Sequence, residues 1–362
     1  LAPDPRTRVF DVRATIEQDA LHLYGEIHNR ETRDQLIAFV SQNLSICIVD
    51  HTLPLPARDA RDRPWGLTSL SVVNVHRDPS HEAGIITQAL LGTPVKILKR
   101  RNEWFFVQLP DEYLGWIDDT LVRMSDEEFR DYARHPKVMV TVATDVIRRE
   151  PDHDSLIVSD VVGGDCLNFL GIRGDFFEVG YPDARTGFLP RSSAMPCEEW
   201  CATQAPTKEA IVTTALRFMG LPYLWGGASF KATDCSGLVK MVYFLNGIML
   251  PRDADQQSQV GLPIPLDNRL DAVDKGDLLF FGKDRITHVG IYLGGQRFIQ
   301  ASGDVNIQSL DSRDKDFGPR WASSLICARR LIGVDEAHGV KPITLDLLSG
   351  AAWMRDFQPP AS

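Results

Sequence analysis

Two stretches decide the reading of this chain: Leu221-Pro222-Tyr223-Leu224-Trp225-Gly226-Gly227, and Asp234-Cys235-Ser236-Gly237-Leu238-Val239. The first ends in a glycine-rich turn. The second opens an apolar run that reaches Asn246 at helical spacing, with Thr233 or Asp234 placed to cap it. A cysteine at a helix start meets the positive end of the macrodipole, which favours the thiolate and makes it a nucleophile. The small residues Ser236 and Gly237 let another backbone approach. On the cysteine alone a buried, inert thiol is the better reading, because most cysteines behave as small hydrophobes.

Working outward, Thr207–Phe218 is a helical pattern with Thr207 as N-cap and Gly220 as its stop. Downstream, Leu278–Phe281, His288–Leu293 and Gln296–Ala301 read as three strands separated by Gly282-Lys283-Asp284 and Gly294-Gly295, an antiparallel meander. Helices followed by strands predict an α+β domain. His288 opens an otherwise apolar strand, where a histidine is more often structural than catalytic. Gln300 lies within the apolar run Phe298-Ile299-Gln300-Ala301. A buried glutamine without a partner costs about 1–3 kcal/mol. If both residues share one face of the hairpin, Gln300 accepts from one imidazole nitrogen and the other turns to Cys235, which is nucleophile, base and orienter.

Upstream, strands at 12–16, 20–27 and 45–49 with a helix over 31–42 predict a small α+β unit, closed by Leu53-Pro54-Leu55-Pro56. Two segments of similar plan follow. Each has paired strands, a glycine turn, a strand, an aromatic strand (Trp104-Phe105-Phe106; Phe176-Phe177) and a Gly-aromatic-aliphatic ending (Gly115-Trp116-Ile117; Gly187-Phe188-Leu189). The pair resembles a tandem of bacterial SH3 domains. Between them Ser125 and Glu128 predict a capping box. The expected architecture is multidomain: an N-terminal α+β unit (1–62), two SH3-like β-barrels (66–124 and 136–197), an α+β domain (206–332), and a C-terminal tail (333–362) with no strong pattern.

The third domain resembles the NlpC family of papain-like peptidoglycan endopeptidases. The likeness rests on the two opening stretches, then Leu250-Pro251-Arg252, Gly276-Asp277-Leu278-Leu279-Phe280-Phe281, His288-Val289-Gly290-Ile291-Tyr292 and Phe298-Ile299-Gln300-Ala301-Ser302, in that order. Cys235 and His288 are 53 positions apart, and His288 and Gln300 are 12 apart. The resemblance implies a Cys235, His288, Gln300 triad, with Gln300 where the family most often has histidine. An amide orients the imidazole but carries no charge, so a thiolate–imidazolium pair is expected to be weaker. The resemblance also implies that the Tyr223 hydroxyl serves the oxyanion hole and that Asp234 and Ser236, which flank the nucleophile, bind substrate, with Arg252 near the site. Relatives with SH3 domains look like enzymes cutting after γ-D-glutamate in short wall peptides with a free N-terminal L-alanine. Asp234, with Glu82 and Tyr113 of the first barrel, is the expected set for that amine. The expected partner is thus an L-Ala-γ-D-Glu-diamino acid peptide, with no metal or cofactor. An amidase or acyltransferase, or a non-catalytic wall-binding module, are the alternatives.

Composition sets the outer bounds. The 362 residues carry a formal charge of −10, with no basic stripe of the kind nucleic-acid binders show. No apolar run approaches the roughly 18 residues of a membrane helix. A monomer is expected. The sequence starts at Leu1, so a processed leader and a periplasmic or cell-envelope setting are the expectation, with the cytoplasm left open. Of six cysteines, Cys197 and Cys201 are the only close pair. Two unrelated buried thiols are the default there, a local disulfide is the alternative, and a zinc half-site lacks its partner ligands.

Overall fold

The computed structural model describes residues 2–267 and 269–356. At the N-terminus, β1 (Phe10–Glu17), β2 (Ala20–Ile27) and β3 (Cys47–Pro54) form a sheet in the order β1-β2-β3. β1 runs antiparallel and β3 parallel to β2, so a crossover is needed between β2 and β3; α1 (Arg30–Asn43) supplies it. Asn29 caps α1 through the Thr32 amide, and Leu36 of α1 packs on Leu21, Leu23 and Ile27 of the sheet.

Next come β4 (Trp65–Thr68), β5 (Val72–His76), β6 (Ile85–Leu90), β7 (Pro94–Arg101), β8 (Trp104–Gln108), β9 (Leu114–Ile117) and β10 (Leu121–Met124). α2 (Asp126–Arg134) follows, with the capping box of Ser125 and Glu128 in place. A second set comprises β11 (Lys137–Val140), β12 (Thr144–Arg148), β13 (Ile157–Val162), β14 (Cys166–Arg173), β15 (Phe176–Gly180), β16 (Thr186–Pro190) and β17 (Ala194–Pro196). The strand orders are β10-β4-β7-β8-β9-β5-β6 and, read from the other edge, β17-β11-β14-β15-β16-β12-β13. These are one topology used twice. The irregularities repeat as well. The shift at Val75/His76 recurs at Ile147/Arg148, and that at Ile97/Lys99 recurs at Phe169/Gly171. Bulges reappearing at a constant offset mark a repeated unit. The two barrels meet through equivalent turns. The buried Asp165 carboxylate accepts from the amides of Leu91 (3.0 Å) and Val162 (2.8 Å), and Cys166 N–H donates to the Leu91 carbonyl (2.9 Å).

After α3 (Cys197–Thr203) the last domain begins with α4 (Lys208–Leu216), capped by Thr207, and α5 (Cys235–Phe244), capped by Asp234. β18 (Ile248–Met249) and α6 (Ala254–Gln257) lead into β19 (Leu262–Ile264), β20 (Leu278–Gly282), β21 (Ile286–Gly294), β22 (Arg297–Ser302) and β23 (Asp304–Ser309). α7 (Pro319–Ala322) and β24 (Leu325–Arg330) complete a six-stranded sheet, β19-β24-β20-β21-β22-β23. The expected three-strand meander is its middle. β23 and β24, six residues each, were not read from the sequence, although Val305 and Ile307 of β23 alternate with polar residues. Leu238, Val239 and Val242 of α5 share one core with Val289, Ile291, Ile299 and Ala301 of the sheet.

The tail is a correction to expectation. β25 (Lys341–Pro342) pairs with β18, and α8 (Leu345–Ser349) and α9 (Ala351–Asp356) follow. Val340, Ile343 and Leu348 are buried, and Trp353 stacks on Trp65 of the first barrel. The sequence pattern was weak because each piece is too short to show a period. Residues 357–362 of that tail lie outside the described residues. No described helix is long and apolar enough to cross a membrane.

Candidate active site

Cys235 is the first residue of α5. The turn before it is held by one carboxylate. Asp234 Oδ1 accepts from the Gly237 amide (2.7 Å), the Ser236 hydroxyl (3.2 Å) and Arg252 Nη1 (3.1 Å); Oδ2 accepts from the Gly226 amide (2.9 Å) and Arg252 Nη2 (2.5 Å). Asp234 therefore caps the helix, pins the glycine turn and binds a buried guanidinium in a fork. The close approach anticipated at Gly237 is real, since a Cβ there would lie 1.9 Å from the Gly227 carbonyl oxygen. Gln257 of α6 donates to the carbonyls of Ser236 and Pro251, both at 3.0 Å.

The structure brings Cys235, His288 and Gln300 to one place. The backbone of Val289, the residue after His288, and that of Ser236 lie close enough to the Cys235 thiol to draw its pKa down. Gln300 lies beside the His288 imidazole and holds its pKa up against the effect of burial. His288 Nε2 and Gln300 Oε1 are both buried and neither makes a hydrogen bond among the described residues. A protonated Nε2 is the donor that the carbonyl lacks, and the carbonyl is the acceptor that the ring lacks. Trp321 of α7 stacks on His288 at 4.3 Å between centroids and 21° between planes. Sequence reasoning missed Trp321. The available signal was Gly318-Pro319, a helix start with proline at its first position.

The electrostatics correct one expectation. Burial, and then the Asp234 charge, push the Cys235 thiol up to about 11, against the pull of those two backbone segments and Arg252. Burial pulls His288 down to about 4, with the Arg320 charge acting in the same direction. The resting pair is a neutral thiol and a neutral imidazole. The dipole at the helix start is outweighed because the sulfur is taken out of water.

The remaining expected residues divide. Tyr223 stands within the electrostatic reach of Cys235 and Asp234; burial first, then those two groups, raise it to about 12. Its segment is zipped to the β22–β23 turn, with Tyr223 N–H donating to the Gly303 carbonyl (2.9 Å). Trp225 beside it is 68% exposed, a large apolar surface at the mouth of the site. Ser236 and Arg252 are buried inside the Asp234 network, with Arg252 Nη1 donating to Ser236 Oγ (2.8 Å). Tyr113 is buried and donates its hydroxyl to Asp253 (2.9 Å), the neighbour of Arg252. Glu82 sits on the β5–β6 loop, exposed, its carboxylate without an ion pair or hydrogen bond among the described residues.

The first barrel enters this site more deeply than the sequence indicated. Thr87 Oγ1 accepts from Arg252 Nε (2.9 Å). Gln88 Oε1 accepts from the Ala228 amide (2.9 Å) and the Ser229 hydroxyl (3.0 Å). A Cβ on Gly226 would meet the Ile85 carbonyl at 2.6 Å. One strand of the barrel, β6, thus braces both the guanidinium and the loop leading to the cysteine. Among the described residues no cluster of three or more His, Cys, Asp or Glu is arranged to hold a metal.

Residues 220–330 match the NlpC/P60 family, and residues 75–120 match the bacterial dipeptidyl-peptidase SH3 domain. A gamma-D-glutamyl-L-lysine dipeptidyl-peptidase of Bacillus subtilis is 31% identical over 229 residues, 60% of this chain and 72% of that one. Dipeptidyl-peptidase 6 of Lysinibacillus sphaericus is 30% identical over 258 residues, 67% of this chain and 90% of that one. The crystal structure of an NlpC/P60 protein from Bacillus cereus shares the fold, with a TM-score of 0.65 at 23% identity, covering 74% of this chain and 99% of that one. With the family match over residues 220–330 and relatives at 30% identity or more covered over most of their length, the chain belongs to the NlpC/P60 family of cysteine peptidases.

Proposed function

We propose that this protein hydrolyses the γ-D-glutamyl–L-diamino acid bond of short peptidoglycan peptides that carry a free N-terminal L-alanine. Two relatives named as gamma-D-glutamyl-L-lysine dipeptidyl-peptidases supply the bond class. The observation that carries the restriction to short peptides is the seat of β6 and its hairpin on the catalytic loop, through Thr87, Gln88 and Ile85. A barrel in that position closes the cleft on the side where a long glycan-linked strand would have to continue.

In this reading Cys235 attacks the γ-glutamyl carbonyl as His288 takes its proton, because the resting sulfur is a thiol and the resting imidazole is a free base. The ring nitrogen away from Gln300 does this work. The oxyanion is met by the Tyr223 hydroxyl and a backbone amide at the start of α5. His288 then returns the proton to the departing amine, and water, with His288 as base, cleaves the thioester. Of the residues expected around the free amine, Asp234 is neutralised by Arg252 and Tyr113 is bonded to Asp253. Glu82 is the carboxylate left open to an ammonium, a charge-assisted contact. The protein is expected to act on these peptides in the cell envelope.

The test is cleavage of L-Ala-γ-D-Glu-diaminopimelate beside its N-acetylated form, read by mass spectrometry. Cleavage of the free-amine peptide alone, lost in Cys235→Ala and with KM raised about tenfold or more in Glu82→Gln, is expected. Equal cleavage of both peptides removes the free-amine subsite. Activity surviving in Cys235→Ala removes the mechanism.

A further inference from the structure

The third member of the site is a glutamine, and an amide side chain has two ends of similar shape and opposite polarity. Presented by its oxygen, Gln300 accepts a proton from His288 Nε2 and leaves the other ring nitrogen free as a base. Presented by its nitrogen, it donates to Nε2, the ring proton moves to the other nitrogen, and that tautomer cannot take the thiol proton. Something must set the direction of the amide.

The strand next door contains it. β22 and β23 pair with Gln300 directly opposite Asn306 and Ser302 opposite Asp304, across a turn at Gly303. Gln300 Nε2 donates to Asn306 Oδ1 (2.8 Å). Asn306 is itself an amide with two ends, and three contacts fix it. Its Nδ2 donates to the Asp304 carboxylate (2.6 Å) and to the Asp304 carbonyl (3.2 Å), and its Oδ1 also accepts from Gln308 Nε2 (3.1 Å). A carboxylate and a carbonyl only accept, so Asn306 must turn its nitrogen to Asp304 and its oxygen to Gln300. That oxygen requires the Gln300 nitrogen, which leaves the Gln300 oxygen, buried and without a hydrogen bond, as the end available to the His288 ring beside it.

We propose that Asn306, held by Asp304, is a positioning residue that orients the Gln300 amide and thereby selects the His288 tautomer able to act as base. The proposal rests on the Cys235, His288, Gln300 reading of the site. It requires no new contact with substrate. It explains how a neutral third residue serves a site in which a histidine or a carboxylate would need no such setting.

The experiment is a double-mutant cycle on the full chain with the tripeptide substrate. Asn306→Leu keeps the shape and removes the acceptor, so Gln300 is free to turn; kcat/KM is expected to fall about tenfold, chiefly in kcat. Asn306→Asp, made together with Asp304→Asn to avoid facing carboxylates, keeps an acceptor and is expected to stay within about threefold of the parent. In a Gln300→Glu background the third group accepts from either end, so adding Asn306→Leu is expected to change kcat/KM less than twofold. Nitrogen-15 NMR of histidine-labelled protein, with His288 assigned by substitution, should show the proton on Nε2 in the parent and a mixture of tautomers in Asn306→Leu. An equal loss from Asn306→Leu in both backgrounds would mean a merely structural role, and an unchanged tautomer would likewise overturn the proposal. Should Gln300→Ala leave activity intact, the triad reading itself fails, which is a separate result from a cycle with no coupling.

Discussion

Arg252 offers the sharpest test of how the site is held. Its side chain is 1% exposed, and all three nitrogens are occupied: Nε by Thr87, Nη1 by Asp234 and Ser236, Nη2 by Asp234 and the Gly227 carbonyl. Arg252→Met retains most of the volume but strands the Asp234 carboxylate, itself 6% exposed, against the nucleophile. Breaking one side of a buried pair costs about 3–5 kcal/mol, whereas removing both charges costs far less because none is left unpaired. Asp234→Asn keeps the helix cap, so Asp234→Asn/Arg252→Met should recover at least about 2 kcal/mol of the loss. With several domains in the chain, a single unfolding midpoint is ill-defined. The readout is therefore hydrogen exchange of the first turn of α5, where the Gly237 amide is bonded to Asp234. Protection there should fall by about two orders of magnitude or more in Arg252→Met and largely return in the double variant. Arg252→Met within about 0.5 kcal/mol of the parent, or a double variant worse than the single, would refute this account.

Four further outcomes follow. Because the base is a neutral imidazole whose pKa is drawn down to about 4 by burial, kcat/KM should rise through about pH 4 and be flat through neutrality; a rising limb at the ordinary histidine value of 6.5 would contradict it. The same depression means the unfolded chain binds the proton first, so the His288 contribution to stability is complete above 6.5 and is lost as pH falls toward 4, about 3 kcal/mol in all, visible as lost hydrogen-exchange protection in β21 after correction for the intrinsic rate. Gly237→Ala forces a Cβ onto the Gly227 carbonyl and should lower both stability, by more than about 2 kcal/mol, and kcat/KM, measured side by side. Finally, the Cys197 sulfur lies 3.4 Å from Cys166 rather than against Cys201, so a mild disulfide oxidant should link 166 to 197, identified by peptide mapping; a 197–201 link would count against the packing.

What the sequence made legible is what lies within one element or one motif. Cys235 at a helix start, Asp234 as its cap and Gly237 as a close contact follow from residues within a few positions of each other. His288 and Gln300 follow from the two-residue period of adjacent strands. Thr87, Gln88, Trp321 and Asn306 were not legible as parts of the site. Two come from a barrel more than 140 positions before the cysteine, one from a single-turn helix, and Asn306 from a six-residue strand that the sequence reading passed over. The direction of the thiol pKa failed for the same reason. A helix dipole is local and can be read from sequence, while burial depends on everything that closes over the sulfur.

That failure bears on the glutamine. A charged third residue is valuable where an imidazolium must be stabilised at rest beside a thiolate. Here the resting pair is neutral, so the third residue has to orient the ring, and charge at that position is less important. In the proposed mechanism the imidazolium forms only as the thiol proton moves, when negative charge on the substrate oxygen forms with it; Gln300 favours the cation, while the Arg320 and Asp234 charges act in opposite directions. A neutral amide is sufficient for that task on one condition, that its oxygen faces the ring. The chain Asp304, Asn306, Gln300 meets the condition with contacts of 2.6 and 2.8 Å. On the proposed mechanism the glutamine and the raised thiol pKa therefore belong together: a thiol deprotonated by a general base needs the ring oriented, and needs no standing ion pair.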